Sequence, residues 1–339
     1  MTRRLPLLAT LAVAAIALTG CTAPASTDTG DTAEDAVRIA LVRQLGSGDY
    51  FEQWLAGAQA QADELGVDLS IYNAEGDDAQ QALDLESAIN DGVDAIAVDH
   101  GFTETVQPGV TAALDADIPV VAFDVDAGDD RAVSISQSDQ VLAEQVLGQL
   151  VTDTGGEADV IYVYVAGFAP LDNRNVVWED VKADNPGLNQ VAQIGVVNES
   201  TASEVANQAK AALQANPDVT AIFAPYDEFA KGATLAIQEL GLEDTVKVYG
   251  ADISTADIEV ITADGSPWVA TAATDPANVG AVTIRAAYLA ATGGELDASI
   301  SIPPTLITQA ALLEAGVATI QDLTEAFPEL NTPDVAKVE

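Results

Sequence analysis

From Val37 onward the chain alternates short β-branched runs with amphipathic stretches, and this rhythm limits what it can fold into more than any other feature. The runs Val37–Val42, Val67–Tyr72, Ala95–Val98, Pro119–Phe123 and Ala132–Ile135 read as strands. Between the first two, Phe51, Trp54, Leu55, Ala58, Ala62 and Leu65 recur at three- and four-residue spacings, and Gly66 stops the helix they define. Ala82, Leu85, Ala88 and Ile89 repeat the pattern up to Gly92. Strands separated by helices need crossover connections, which give a parallel sheet covered on both faces.

The rhythm then restarts. Strands are predicted at Asp159–Val165, Val191–Val197, Thr220–Ala224, Val246–Ala251 and Trp268–Ala273, with helices at Ser203–Gln214, Glu228–Leu240 and Ala277–Ala291. A proline-containing return segment, Ser301–Leu306, follows. Two sets of this kind predict an α/β protein of two doubly wound parallel-sheet lobes. With no Gly/Ser-rich linker between them, the lobes should be joined by several thin crossings acting as a hinge. The expected boundaries are 37–138 plus about 275–304 for the N-terminal lobe, and 139–274 plus about 305–330 for the C-terminal lobe.

Open α/β sheets bind ligands beyond the carboxyl ends of their strands, and two hinged lobes make a cleft there. The residues at those ends are Arg43 and Gln44, Tyr50 and Phe51 opening a helix, Asp99 and His100, then Asp124. The second half adds Arg174, Tyr226 and Asp227, Asp252, and Thr274 with Asp275. Carboxylates accept from adjacent hydroxyls, a guanidinium donates as a rigid fork, and aromatic rings cover C–H faces. That combination suits a neutral polyhydroxyl ligand and needs no covalent chemistry. Asp227, just before a helix, equally suits a helix cap.

Ahead of the repeating region, Arg3 and Arg4 precede an apolar stretch from Leu5 to Leu18, a secretory signal too short for a stable span. Leu18-Thr19-Gly20-Cys21 resembles a bacterial lipoprotein lipobox, which implies cleavage after residue 20 and lipidation of Cys21, the only cysteine. Residues 21–36 then read as a flexible tether. The expected location is the outer face of the cytoplasmic membrane. Formal charge is −42, and loss of Arg3 and Arg4 makes it −44, so the surface repels nucleic acid and anionic headgroups.

Enzyme-like patterns are weak. Asp124-Val125-Asp126 after an apolar run is similar to the nucleophile loop of haloacid-dehalogenase-type phosphatases, but it follows the fourth strand rather than the first. The stretch Asp124–Asp130 superficially resembles a calcium loop with its glycine one place early and no closing glutamate. One histidine, His100, rules out a multi-histidine metal site. Gly46-Ser47-Gly48 lacks the third glycine of a dinucleotide fingerprint and reads as a cleft-edge loop. No catalytic residue, metal or cofactor is expected.

Several motifs resemble the ribose-binding type of periplasmic sugar-binding protein, the receptor of ATP-driven importers. They are Ile39-Ala40-Leu41-Val42 followed by Tyr50-Phe51, Ala62-Asp63-Glu64-Leu65-Gly66, Ile118-Pro119-Val120-Val121 leading to Asp124, and Asn216-Pro217-Asp218-Val219 leading to Asp227-Glu228. Gly250 with Asp252, and Asp275-Pro276 with Gly280, complete the set. The resemblance implies a periplasmic binding protein of type I, a monomer that closes on a monosaccharide or polyol and hands it to an ABC permease. An alternative with the same fold presents the bound molecule to a signalling receptor. The implied ligand contacts are Gln44, Tyr50, Phe51, Asp99, Asp124, Arg174, Tyr226, Asp252 and Thr274. Gly48, Val125, Ser200, Tyr226 and Ala251 depart from the ribose-binding pattern, which points to another pentose or a short linear sugar alcohol.

Overall fold

The structure is a computed structural model that describes residues 36–338; the leader, Cys21 and most of the tether lie outside the described residues. The first half builds β1 (Arg38–Arg43), α1 (Asp49–Leu65), β2 (Asp68–Asn73), α2 (Asp78–Asp91), β3 (Ala95–Asp99), α3 (Thr103–Asp115), β4 (Val120–Phe123) and β5 (Val133–Ser136). The second half continues with α4 (Asp139–Thr154), β6 (Glu157–Val163), α5 (Ala169–Asp184), β7 (Gly187–Ile194), α6 (Thr201–Ala215) and β8 (Val219–Ala224). After these come α7 (Asp227–Leu240), β9 (Lys247–Ala251), α8 (Thr255–Thr262), β10 (Trp268–Ala273) and α9 (Pro276–Thr292). The chain closes with β11 (Ser299–Ser301), β12 (Thr305–Thr308), α10 (Gln309–Ala315) and α11 (Ile320–Ala326).

These elements form two six-stranded sheets, ordered β11-β5-β4-β3-β1-β2 and β12-β10-β9-β8-β6-β7. Every pairing is parallel except β10 with β12. Both faces of each sheet are covered, so the central strands β1, β3 and β4 are almost wholly buried. All three tryptophans, Trp54, Trp178 and Trp268, are core residues with no exposed surface. Helices α1 and α9 approach until Gly57 and Gly280 lie against each other's backbone, where any β-carbon would collide with a carbonyl of the facing helix.

One expected strand is displaced. The predicted strand Val191–Val197 begins and ends earlier, as β7. It is the edge of its sheet, so its polar residues Asn189, Gln190 and Gln193 pair without needing a β-branched run. The return segment is bracketed by two short strands: β11 joins the first sheet beside β5 and β12 joins the second beside β10. Pro303 and Pro304 stand between them, and without N–H donors neither can extend a ladder. After α11, residues 331–338 return to α9, where Arg285 donates to the Val335 carbonyl and Asn278 to Thr332.

Three segments pass between the sheets: Gln137-Ser138, Thr274-Asp275 and Ile302–Pro304. They are bonded to one another. Thr274 donates to the Gln137 side-chain oxygen at 2.6 Å, and the Ser138 hydroxyl donates to the Ile302 carbonyl at 2.9 Å while meeting Ser301 Oγ at 2.6 Å. Ser138 adopts φ 57°, so the chain turns sharply into α4.

Candidate functional site

Because the strands of each sheet run parallel, their carboxyl ends gather at one edge, and those two edges face each other across a cleft. The cleft encloses about 500 Å³, part of it open to solvent. Its polar lining is Gln44, Tyr50, His100, Gln137, Arg174, Tyr226 and Asp252. Its apolar lining is Leu45 and Phe51 from the first lobe with Phe168, Pro170, Leu171 and Val197 from the second.

Arg174 organises the second lobe's side. Pro170 lies in the first turn of α5, and Arg174 lies one turn further along, buried to 2 % exposure. Its guanidinium grips both Asp252 oxygens at 3.0 and 3.1 Å, meets Asp139 Oδ1 through Nε at 3.1 Å, and donates to the Pro225 carbonyl at 2.8 Å. Asp252 follows β9 at φ 66°, which aims its carboxylate back at the guanidinium. Burial pushes the Asp252 carboxyl up, opposed by the adjacent guanidinium. Burial also works against the charge on Arg174, but Asp252 and Asp139 outweigh it and hold the guanidinium ionised.

In the first lobe Asp99 sits between two donors, Arg43 Nε at 2.9 Å and His100 Nδ1 at 2.6 Å. Burial alone would raise its pKa, yet the His100 hydrogen bond and the Arg43 charge leave it below the usual range. The same contact lifts His100 against burial, so the imidazole is held toward its cationic form. Asp124 has only the Gln137 amide and backbone as hydrogen-bond donors, at 3.1 and 3.4 Å. Burial first and repulsion from Asp139 second push its pKa up to about 7. Four buried carboxyls, Asp99, Asp124, Asp139 and Asp252, thus face three basic side chains, Arg43, His100 and Arg174. Most of the site's charge is therefore paired within the protein, which leaves little for an ionic ligand.

Of the predicted residues, Gln44, Tyr50, Phe51, Arg174, Tyr226 and Asp252 line the cavity together. Asp99, Asp124 and Thr274 do not line it; each stands behind it, holding His100 or Gln137 in place. That position also leaves Asp124 without the exposed carboxylate a phosphatase nucleophile requires. Asp227 is the first residue of α7 rather than its cap; Tyr226 holds the cap position and both Asp227 oxygens lack a donor. In the Asp124–Asp130 stretch Asp129 is taken by Arg131, and among the described residues no group of three or more acidic, histidine or cysteine side chains is placed to hold a metal.

Gln137, Phe168, Leu171 and Val197 were not among the predicted contacts. Gln137 follows directly from the strand-end rule, since it lies just beyond β5. Phe168 and Leu171 lie beyond β6 in the same sense, but apolar residues there look like ordinary core. Val197 was hidden because the predicted strand ran through it.

The sequence matches the periplasmic binding protein domain over residues 39–295. The ribose import binding protein of Escherichia coli (strain K12) is 30% identical over 276 residues, 80% of this chain and 90% of that protein. Among solved structures, the 5-methylthioribose transporter solute binding protein of Thermotoga lettingae TMO, in complex with 5-methylthioribose, is 42% identical with a TM-score of 0.88, covering 89% of this chain and 96% of that one. An ABC transporter solute binding protein of Agrobacterium vitis with bound allitol is 25% identical with a TM-score of 0.77, covering 83% and 98%. The chain belongs to the periplasmic binding protein family, as one of its type I sugar-binding members.

Proposed function

We propose that the protein captures a pentose carrying a small apolar substituent, of the 5-methylthioribose kind, and delivers it unchanged to an ABC permease. The observation that carries this reading is a pair of buried orphans in the cavity wall. Gln44 Oε1 and the Tyr50 hydroxyl have neither solvent nor a hydrogen-bond partner, beside the Arg174–Asp252 fork. Unpaired buried polar atoms are costly, so they mark where ligand hydroxyls belong. Opposed to them is the wall of Phe168, Pro170, Leu171 and Val197, which offers a hydroxyl nothing and suits an alkylthio group.

Gln44, Tyr50, Arg174 and Asp252 would read the hydroxyls while Phe51 and Tyr226 cover the ring faces. Asp99, Asp124 and Thr274 act through the groups they hold. Each hydrogen bond to a charged partner contributes about 1.5–3 kcal/mol, so a few of them with one buried substituent reach the roughly −8 kcal/mol of a micromolar complex. Lipidation at Cys21 would tether the protein beside the permease it serves, and Cys21→Ala should release it from membranes.

Calorimetry of 5-methylthioribose, D-ribose and allitol against the protein tests the reading. Binding of 5-methylthioribose at least about tenfold tighter than D-ribose, with the sugar recovered intact, supports it. No heat from any of the three, or equal affinity for both pentoses, overturns it.

A further inference from the structure

Away from the cavity, the rim of the cleft carries a cluster of charge that ligand recognition leaves unused. Lys231, on α7 in the second lobe, reaches across to Asp49, the first residue of α1 in the other lobe, with Nζ 2.6 Å from Oδ2. The same ammonium is paired with Glu228 and lies 3.7 Å from Asp257. Behind it Asp227 and Asp257 are completely buried, and neither carboxyl has a hydrogen-bond donor for its oxygens. Burial raises both above the ordinary carboxylate range, and repulsion from Asp257 adds to the rise at Asp227.

The backbone is shaped to the same contact. Gly48, immediately before Asp49, holds φ 103°, and a β-carbon there would sit 3.3 Å from Glu228 Oε1 and 3.6 Å from the Tyr226 hydroxyl. The glycine lets the two rims meet. Lys231 is thus fixed from behind by buried acid and extends its remaining reach to the opposite lobe.

We propose that Lys231 and Asp49 form an ionic clasp across the mouth of the cleft, with Lys231 a positioning residue that sets how long the closed state lasts. The clasp touches no ligand and joins the lobes only when they are closed. It therefore slows opening without changing which sugar is preferred. Asp49 is 41 % exposed, so the contact is screened by salt. Asp49 also lies in the first turn of α1, where its negative charge is favoured by the helix N-terminus.

The inference builds on the reading of the protein as a closing receptor, and its test includes a measurement made without sugar. Asp49→Asn alters a half-exposed side chain and leaves Glu228 and Asp257 paired with Lys231. In stopped flow with 5-methylthioribose, the dissociation rate should rise about three- to fivefold with little change in association. Raising NaCl from about 50 to 500 mM should speed dissociation in the original protein and not in the variant. Asp49→Glu should restore both behaviours. In sugar-free protein, small-angle scattering at low salt should give a larger radius of gyration for Asp49→Asn. Identical scattering and identical salt responses for Asp49→Asn and the original protein would overturn the clasp. If 5-methylthioribose does not bind, the ligand assignment fails, while the scattering comparison still decides the clasp.

Discussion

Arg174 holds Asp252 by both terminal nitrogens, at 3.0 and 3.1 Å, across 78 residues of sequence. The fork does two things at once. It neutralises a carboxylate that burial would otherwise protonate, and it fixes that carboxylate's orientation at the cavity wall.

Removing the guanidinium strands two buried acids, Asp252 and Asp139, so Arg174→Met should lower stability by about 3–5 kcal/mol and abolish binding. Arg174→Lys keeps the charge but not the fork, and should fold while binding about tenfold more weakly. Thermal unfolding and calorimetry separate the two effects. Full affinity in Arg174→Lys would show that bidentate geometry is not what the site uses.

Asp124 predicts a pH dependence with a definite sign. Its carboxyl titrates at about 7 in the folded chain and near 3.9 when unfolded, so between these values the native state holds a proton the unfolded state lacks. Stability from this group is fully present below pH ~4 and is lost as pH rises through about 7. Asp257, pushed up to about 6, acts in the same direction. Asp124→Asn should therefore flatten, but not abolish, the decline between pH 5 and 8, gaining on the order of 2–4 kcal/mol relative to the original protein at the alkaline end. Urea unfolding at four pH values in that window measures it; parallel curves would mean Asp124 does not titrate there.

The alternation of β-branched and amphipathic segments made the two sheets legible, because burial on both faces demands continuous apolar strands such as β1 and β3. The polar half of the site was legible for a related reason. Charged residues such as Asp99, Asp124 and Asp252 at the end of an apolar run have no structural excuse until a cleft provides one. What could not be read was which of them faces the cavity, since that depends on partners far away in sequence. Asp99 turns to Arg43 and His100, whereas Asp252 is presented by an arginine from another element. The apolar wall was invisible for the opposite reason: Phe168, Leu171 and Val197 obey the same pattern as core.

That wall yields a selectivity prediction. Phe168 is largely buried and packs on Phe102 of the other lobe, ring centroids 4.6 Å apart. Phe168→Ala removes a surface that only a substituted pentose exploits. Affinity for 5-methylthioribose should fall about 10- to 100-fold and that for D-ribose less than about threefold, so the preference between them collapses. Equal losses for both sugars in calorimetry would make Phe168 a closure contact rather than a selector.

Gln137 joins hinge and site in a single side chain. Its oxygen accepts from Thr274 on the neighbouring crossing at 2.6 Å, while its nitrogen donates to Asp124 at 3.1 Å. It also lines the cavity, so any rotation of the first crossing against the second must move a group at the ligand's position. Gln137→Leu keeps the volume but leaves Asp124 and the Thr274 hydroxyl without this partner, each in a buried setting. The variant should lose about 2–4 kcal/mol of stability and bind more weakly. Thr274→Val removes only the link between crossings, at about 1 kcal/mol, and should leave Asp124 hydrogen-bonded. If the amide couples the crossings to the cavity, the two substitutions together should weaken binding by less than the product of their separate effects, as expected for residues sharing one network. A strictly multiplicative loss in the double variant would show that hinge and site are energetically independent at this point.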